Sequence, residues 1–144
     1  MIDGVGRPVQ IAIDCSDPTR LAQFWAEVLA YDLADPPSGY ATWREFAAAV
    51  GGPDEEWHAV VDPAGTGPRV FFHRVPEGKV VKNRVHLDIR IAPAGTPKDQ
   101  RRPIVDAEVQ RLTGLGAGHV RTDDDETDYF AVMQDPEGNE FCVG

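Results

Sequence analysis

His86, Asp88 and Arg90 stand at alternate positions of residues 83–91, so an extended backbone projects all three from one face. Val85, Leu87, Ile89 and Ile91 project from the other. The imidazole is a candidate metal ligand or hydrogen-bonded lining group, and Asp88 and Arg90 could grip a polar substrate. Asp88 and Arg90 can equally pair with each other. At the end of the chain Glu140 and Cys142 share one face against Phe141 and Val143. Glu140 is a candidate general base, whereas a free cysteine such as Cys142 often behaves as a small, semi-polar lining residue. Two further polar positions have the same parity logic: Gln10 with Ala12 and Asp14, and His73 with Phe71 and Val75. Trp43 and Trp57 are candidates for lining a ligand pocket, with aromatic core packing as the other reading.

The elements that position these groups follow in order. Residues 9–15 alternate and predict a half-buried strand with a polar second face. Ser16-Asp17-Pro18 is a helix start, with Asp17 as cap and Pro18 at the first helical position. Leu21, Phe24, Trp25, Val28 and Leu29 then give a helix near 17–30 with a broad apolar stripe. Residues 40–49 and 57–62, separated by Gly51-Gly52-Pro53, read as strands, as do residues 69–75. After the alternating run 83–91 and a Pro/Gly loop, a helix is expected over 99–112, with Val105, Val109 and Leu112 as its stripe and Gly114 as its stop. Strands near 118–122, 128–134 and 139–143 complete the chain. Asp135-Pro136-Glu137-Gly138 is turn chemistry joining the last two, and Asp62-Pro63-Ala64-Gly65 echoes it earlier. Strand, helix, three strands therefore occurs twice, once over about 9–76 and once over about 83–144. A repeat of that type implies two similar units sharing one binding site.

Composition narrows the function classes. A chain of 144 residues carries 24 acidic against 14 basic side chains, a formal charge of −10. That is the wrong sign for nucleic acid, whose phosphates need a basic footprint. Part of the charge is local, since Asp123-Asp124-Asp125-Glu126 reads as a solvated loop without the spacing of a calcium loop. Two cysteines and no signal peptide fit a reducing cytoplasm, and no apolar run reaches membrane-spanning length, so no membrane partner is expected. Cys15 and Cys142 point to opposite faces by parity, which argues against a disulfide.

Three stretches together resemble the vicinal oxygen chelate superfamily in its glyoxalase-like branch. They are Ile13-Asp14-Cys15-Ser16-Asp17-Pro18 with Leu21 and Phe24-Trp25, then Asn83-Arg84-Val85-His86-Leu87-Asp88, then residues 135–143. The resemblance implies an α+β fold of two βαβββ modules whose curled mixed sheets form a cup around a metal or a small ligand. It places metal ligands on the first and last strand of each module, which here carry Gln10, His73, His86 and Cys142. Two imidazoles, an amide oxygen and a thiolate could hold zinc or a similar divalent ion. Family lyases and isomerases generally carry a glutamate at one or both strand-end positions, where this chain has His73 and Cys142. Ring-cleaving relatives that use iron need two histidines and a glutamate, which counts against dioxygenase chemistry here. Two functions follow from the resemblance. One is a metal-dependent lyase or isomerase of a small oxygenated metabolite. The other is a metal-free module that sequesters a ligand or antibiotic, usually across a dimer. A homodimer is expected in either case, because small modules leave much sheet edge uncovered.

Overall fold

In the computed structural model, which describes residues 4–144, the first alternating run forms β1 (Gln10–Cys15) and pairs in parallel with β4 (Arg69–Arg74). Parallel neighbours cannot be joined by a hairpin, so the chain must cross over. It does so through α1 (Pro18–Leu29), capped by the Asp17 side chain, which accepts the Arg20 N–H at 3.1 Å. Leu21, Ala22, Phe24, Trp25 and Val28 line its buried face, and the helix packs on β4 and on β3 (Trp57–Val61). Trp25 is 2 % exposed, and Phe72 is fully buried on β4. Each side chain buried this completely contributes roughly 1.5–3 kcal/mol. The sheet order is β1-β4-β3-β2, with β2 only Asp32–Leu33.

Residues 40–49, expected as a strand, instead lead into a short helix, α2 (Trp43–Val50). The signal lies in its first turn. The Thr42 hydroxyl accepts the Glu45 N–H at 3.1 Å, and the Glu45 carboxylate reaches back to the Ala41 N–H at 3.0 Å, a cap that Thr-x-x-Glu encodes. Trp43 and Ala47, one turn apart, are its buried pair. The strand expected there is supplied by β2, which pairs antiparallel with β3.

This unit ends at Gly78 and a second begins at Lys79. The second unit repeats the order as β5 (Leu87–Ile89), α3 (Lys98–Gly114), β6 (Gly118–Asp124), β7 (Tyr129–Gln134) and β8 (Glu140–Val143), in a sheet ordered β5-β8-β7-β6. Again the first and last strands are parallel and the others antiparallel. Each unit is thus a βαβββ module with a mixed four-stranded sheet, the first with α2 inserted. β5 is shorter than the alternating run 83–91 predicts. At its start the Asn83 N–H goes to the Glu140 carboxylate at 2.7 Å rather than into the ladder, and Val85 is 82 % exposed. On α3, Val105 and Leu112 are buried and the helix runs through Gly114 instead of stopping before it.

The acidic run is not a solvated loop throughout. Asp123 and Asp124 belong to β6 and pair with Arg121 at 3.0 Å and with Lys98 at 2.6 Å. Asp125 caps a turn by accepting from the N–H groups of Thr127 and Asp128. Among the described residues no helix is long and apolar enough to cross a membrane. Cys15 and Cys142 are not joined by a disulfide.

The two Asp-Pro-x-Gly sequences are the same device. Gly65 and Gly138 take φ of 72° and 86°, and their N–H groups bond to the Asp62 and Asp135 carbonyls, each at 2.9 Å. The Asp62 carboxylate accepts from Ala64, Thr66 and Gly67. That of Asp135, 3 % exposed, accepts from the N–H groups of Glu137 and Asn139 and from the Asn139 amide. Asp135→Ala leaves these part-buried donors without their acceptor and is expected to cost about 2–3 kcal/mol. Asp135→Asn, which keeps a carbonyl oxygen, should recover part of the loss. Urea titration of the two variants checks this, and equal losses would show that the acceptor is not what matters.

Candidate functional site

In the second unit, the polar face of the sheet gathers three different donors. Asp88 and Cys142 are direct register partners across β5 and β8, and His86 lies two residues before Asp88, on its side of the chain. The imidazole Nδ1 is 3.0 Å from the Asp88 carboxylate, so Asp88 turns to His86 rather than to Arg90, which is exposed beyond the end of the strand. One donor atom from each of His86, Asp88 and Cys142 lies within 4.8 Å of the others. His86 and Asp88 side chains are 46 % and 59 % exposed, whereas Cys142 is half-buried. Burial, and then the Asp88 carboxylate that accepts from the thiol, push the Cys142 thiol above its ordinary pKa.

Glu140, two residues before Cys142 on the same face, is engaged elsewhere. Its carboxylate accepts the Asn83 N–H and stands 3.6 Å from the Lys79 ammonium. These contacts hold it below the usual carboxylate range, the Asn83 bond foremost. It fastens the segment ahead of β5 onto β8.

In the first unit the polar face reads along two strands. Register sets Gln10 against Arg69 and Asp14 against His73, and Trp57 on β3 continues the His73 row. Gln10 and His73 are therefore separated by four strand positions, about 13 Å, and do not share a contact. Gln10 Oε1 accepts from Arg69 Nη1 at 2.5 Å. His73 Nε2 is 2.9 Å from Glu55 Oε2, which also accepts the Trp57 indole N–H at 2.9 Å. Those two bonds, His73's the larger, hold the Glu55 carboxyl below its ordinary range. An ionised carboxylate only accepts, so Nε2 carries the proton and Nδ1, 3.8 Å from Asp14, keeps the lone pair in the neutral ring. An imidazole oriented through one nitrogen by a carboxylate is the arrangement of a proton-transfer group.

Trp43 belongs to the core. It is 7 % exposed, its indole N–H bonds to the Ala34 carbonyl at 2.7 Å, and its ring packs against Phe46 and His58. Trp57 is half-buried, between Phe46 and Phe71. Sequence reasoning missed Glu55, although it stands two residues before Trp57, at the parity that brings it to His73. It also took Asp88 as a partner of Arg90 or a substrate contact, and not as a neighbour of Cys142.

The two units can be superposed by register. Counted from the two hairpins, Phe71 falls where Cys142 stands, so its parallel partner Ala12 falls where Asp88 stands and Gln10 where His86 stands. A methyl group and a phenyl ring in place of the Asp88 carboxylate and the Cys142 thiol are why three donors meet on the second sheet and not on the first.

This architecture defines a class. A family model for the glyoxalase-like domain matches residues 10–144, and the chain belongs to that family. Among solved structures, it is similar to a hypothetical protein, SA1046, from S. aureus (TM-score 0.64, 13 % identity, covering 97 % of this chain and 94 % of that one). It is also similar to a variant of the fosfomycin resistance protein FosX from Listeria monocytogenes, complexed with Mn(II) and 1S,2S-dihydroxypropylphosphonic acid (0.63, 12 %, 99 % and 90 %). A third is a glyoxalase/bleomycin resistance protein/dioxygenase family enzyme from Burkholderia phytofirmans PsJN (0.62, 16 %, 93 % and 94 %). No curated protein sequence matches significantly. At these identities the likeness is one of fold.

The thiol can be tested without any metal. Asp88→Asn removes the charge that disfavours the thiolate, so alkylation of Cys142 by iodoacetamide at neutral pH should be faster in that variant than in the parent protein. Mass spectrometry of the peptide holding Cys142 follows the rate, with buried Cys15 as internal control. An unchanged or slower rate would contradict the contact.

Proposed function

We propose that this protein is a divalent-metal-dependent lyase or isomerase of a small oxygenated metabolite, with the ion held by His86, Asp88 and Cys142. The observation that carries the reading is the meeting of three ligand-type atoms within 4.8 Å on one sheet face. The set fits an ion on its own chemistry. Tetrahedral zinc with bonds of about 2.0–2.3 Å spaces its donors about 3.3–3.6 Å apart. Rotation of the exposed His86 and Asp88 side chains supplies the remaining closure. Three protein ligands leave the fourth position to water or substrate, the pattern of catalytic rather than structural zinc. A thiolate also favours zinc over the harder Mn(II) found in the FosX complex.

When bound, such an ion polarises substrate oxygens as a Lewis acid. The chain's own residues set up the site. β5–β8 pairing fixes Asp88 beside Cys142, and the Glu140 bond to Asn83 N–H anchors the segment carrying His86. The ion takes the place of protons now held among the three side chains, so loading releases protons and weakens as pH falls. Glu140 has an anchoring rather than a basic role in this reading. A homodimer is part of the proposal, supported by the sheet edges that β1 and β5 leave open within their own sheets.

The test is elemental analysis of protein purified without chelator and then loaded with zinc. About one equivalent should remain after desalting, and His86→Ala or Cys142→Ser should lower zinc affinity by at least about tenfold, since each loses a ligand. Both variants should also lose the rise in melting temperature that zinc gives the parent. Retention of full zinc affinity in both variants, or no zinc bound by the parent, would refute the reading.

A further inference from the structure

Arg69 is the one arginine of the first unit that is both partly buried and, among the described residues, without an acidic partner. Arg44, by contrast, pairs with Glu56 at 2.6 Å. Arg69 has instead an amide and two rings. Its Nη1 donates to Gln10 Oε1 at 2.5 Å, and its Cζ lies 5.7 Å from the Trp43 ring centroid and 5.6 Å from that of Phe71. Burial is the cause that lowers its pKa, so the cation has lost water without gaining a counter-ion. In a chain with 24 carboxylates and 14 basic side chains, ion pairing was readily available to it. The rings and the amide hold the fork in place at low entropic cost, leaving its other N–H groups to a ligand.

We infer that Arg69, held by Gln10 and flanked by Trp43 and Phe71, is the recognition site for the carboxylate of a small organic acid with an apolar body. A planar carboxylate matches the guanidinium edge with two parallel hydrogen bonds. Phe71 and Trp57, next along the same face, offer apolar surface to the rest of the molecule. The ligand is a monoanion because Asp14 lies on that face and the chain is at −10 overall, a field that repels polyanions. The inference stands on the first unit alone and does not rest on metal binding in the second.

The test uses the full chain and three probes that share a ring: benzoate, neutral benzamide and dianionic phenylphosphonate. Binding is read from the Arg69 Nε–H resonance and the indole N–H resonances of Trp43 and Trp57 during titration. Benzoate should shift them saturably at millimolar concentration, and benzamide should bind at least about tenfold more weakly, the size of one charge-assisted hydrogen-bond contribution. Arg69→Gln should abolish the benzoate response, and Arg69→Lys should keep part of it. Equal affinities for benzoate and benzamide in the parent protein, or no saturable shift with benzoate at tens of millimolar, would overturn the assignment without recourse to any variant. Tighter binding of phenylphosphonate than of benzoate would overturn the carboxylate in favour of a phosphonate.

Discussion

The structure depends on a parallel pairing made twice: the first strand of each unit lies on its last, β1 on β4 and β5 on β8. Because a hairpin cannot close such a pair, a helix must cross over, and it can bury its stripe only against one face of the sheet. α1 does this with Leu21, Phe24 and Trp25, and α3 with Val105 and Leu112. The polar side chains stand on the opposite face, in the first unit together with Phe71 and Trp57. Register alone then decides which of them meet, placing Asp14 at His73 and Asp88 at Cys142.

The repeat is therefore a shared frame with different chemistry mounted on it. In the second unit His86 joins the Asp88–Cys142 pair. In the first unit Gln10, Ala12 and Phe71 stand at the corresponding places, and the partner of His73 comes from outside the ladder, as Glu55, delivered by the connection after α2. The insertion of α2 also brings Trp43 beside Arg69. Each unit thus has its own constellation, one of ligand-type donors and one combining an oriented imidazole with an isolated guanidinium.

Much of this frame was legible in the sequence. Alternation over residues 9–15, the Asp17-Pro18 cap and the apolar stripe behind it define β1 and α1 nearly to the residue. The Asp-Pro-x-Gly turns mark the β3–β4 and β7–β8 hairpins because an aspartate there can satisfy several loop N–H groups at once. Residues 40–49 were misread because three aromatic residues, Tyr40, Trp43 and Phe46, outweighed a capping signal spread over Thr42 and Glu45. The run 83–91 was over-extended because alternation reports which face a residue would take, not whether a partner strand is present beside it. The candidate sites were harder to read for the same reason. Gln10 and His73 have the same parity, and parity says nothing of their displacement along the strands, which only register fixes.

The central claim is that one ion sits among His86, Asp88 and Cys142, and its distinctive feature is the sulfur. X-ray absorption at the zinc edge, on protein loaded with a single equivalent, reads that shell directly. The account predicts a sulfur scatterer at about 2.3 Å together with nitrogen and oxygen scatterers at about 2.0–2.2 Å. A shell of light atoms alone would contradict it.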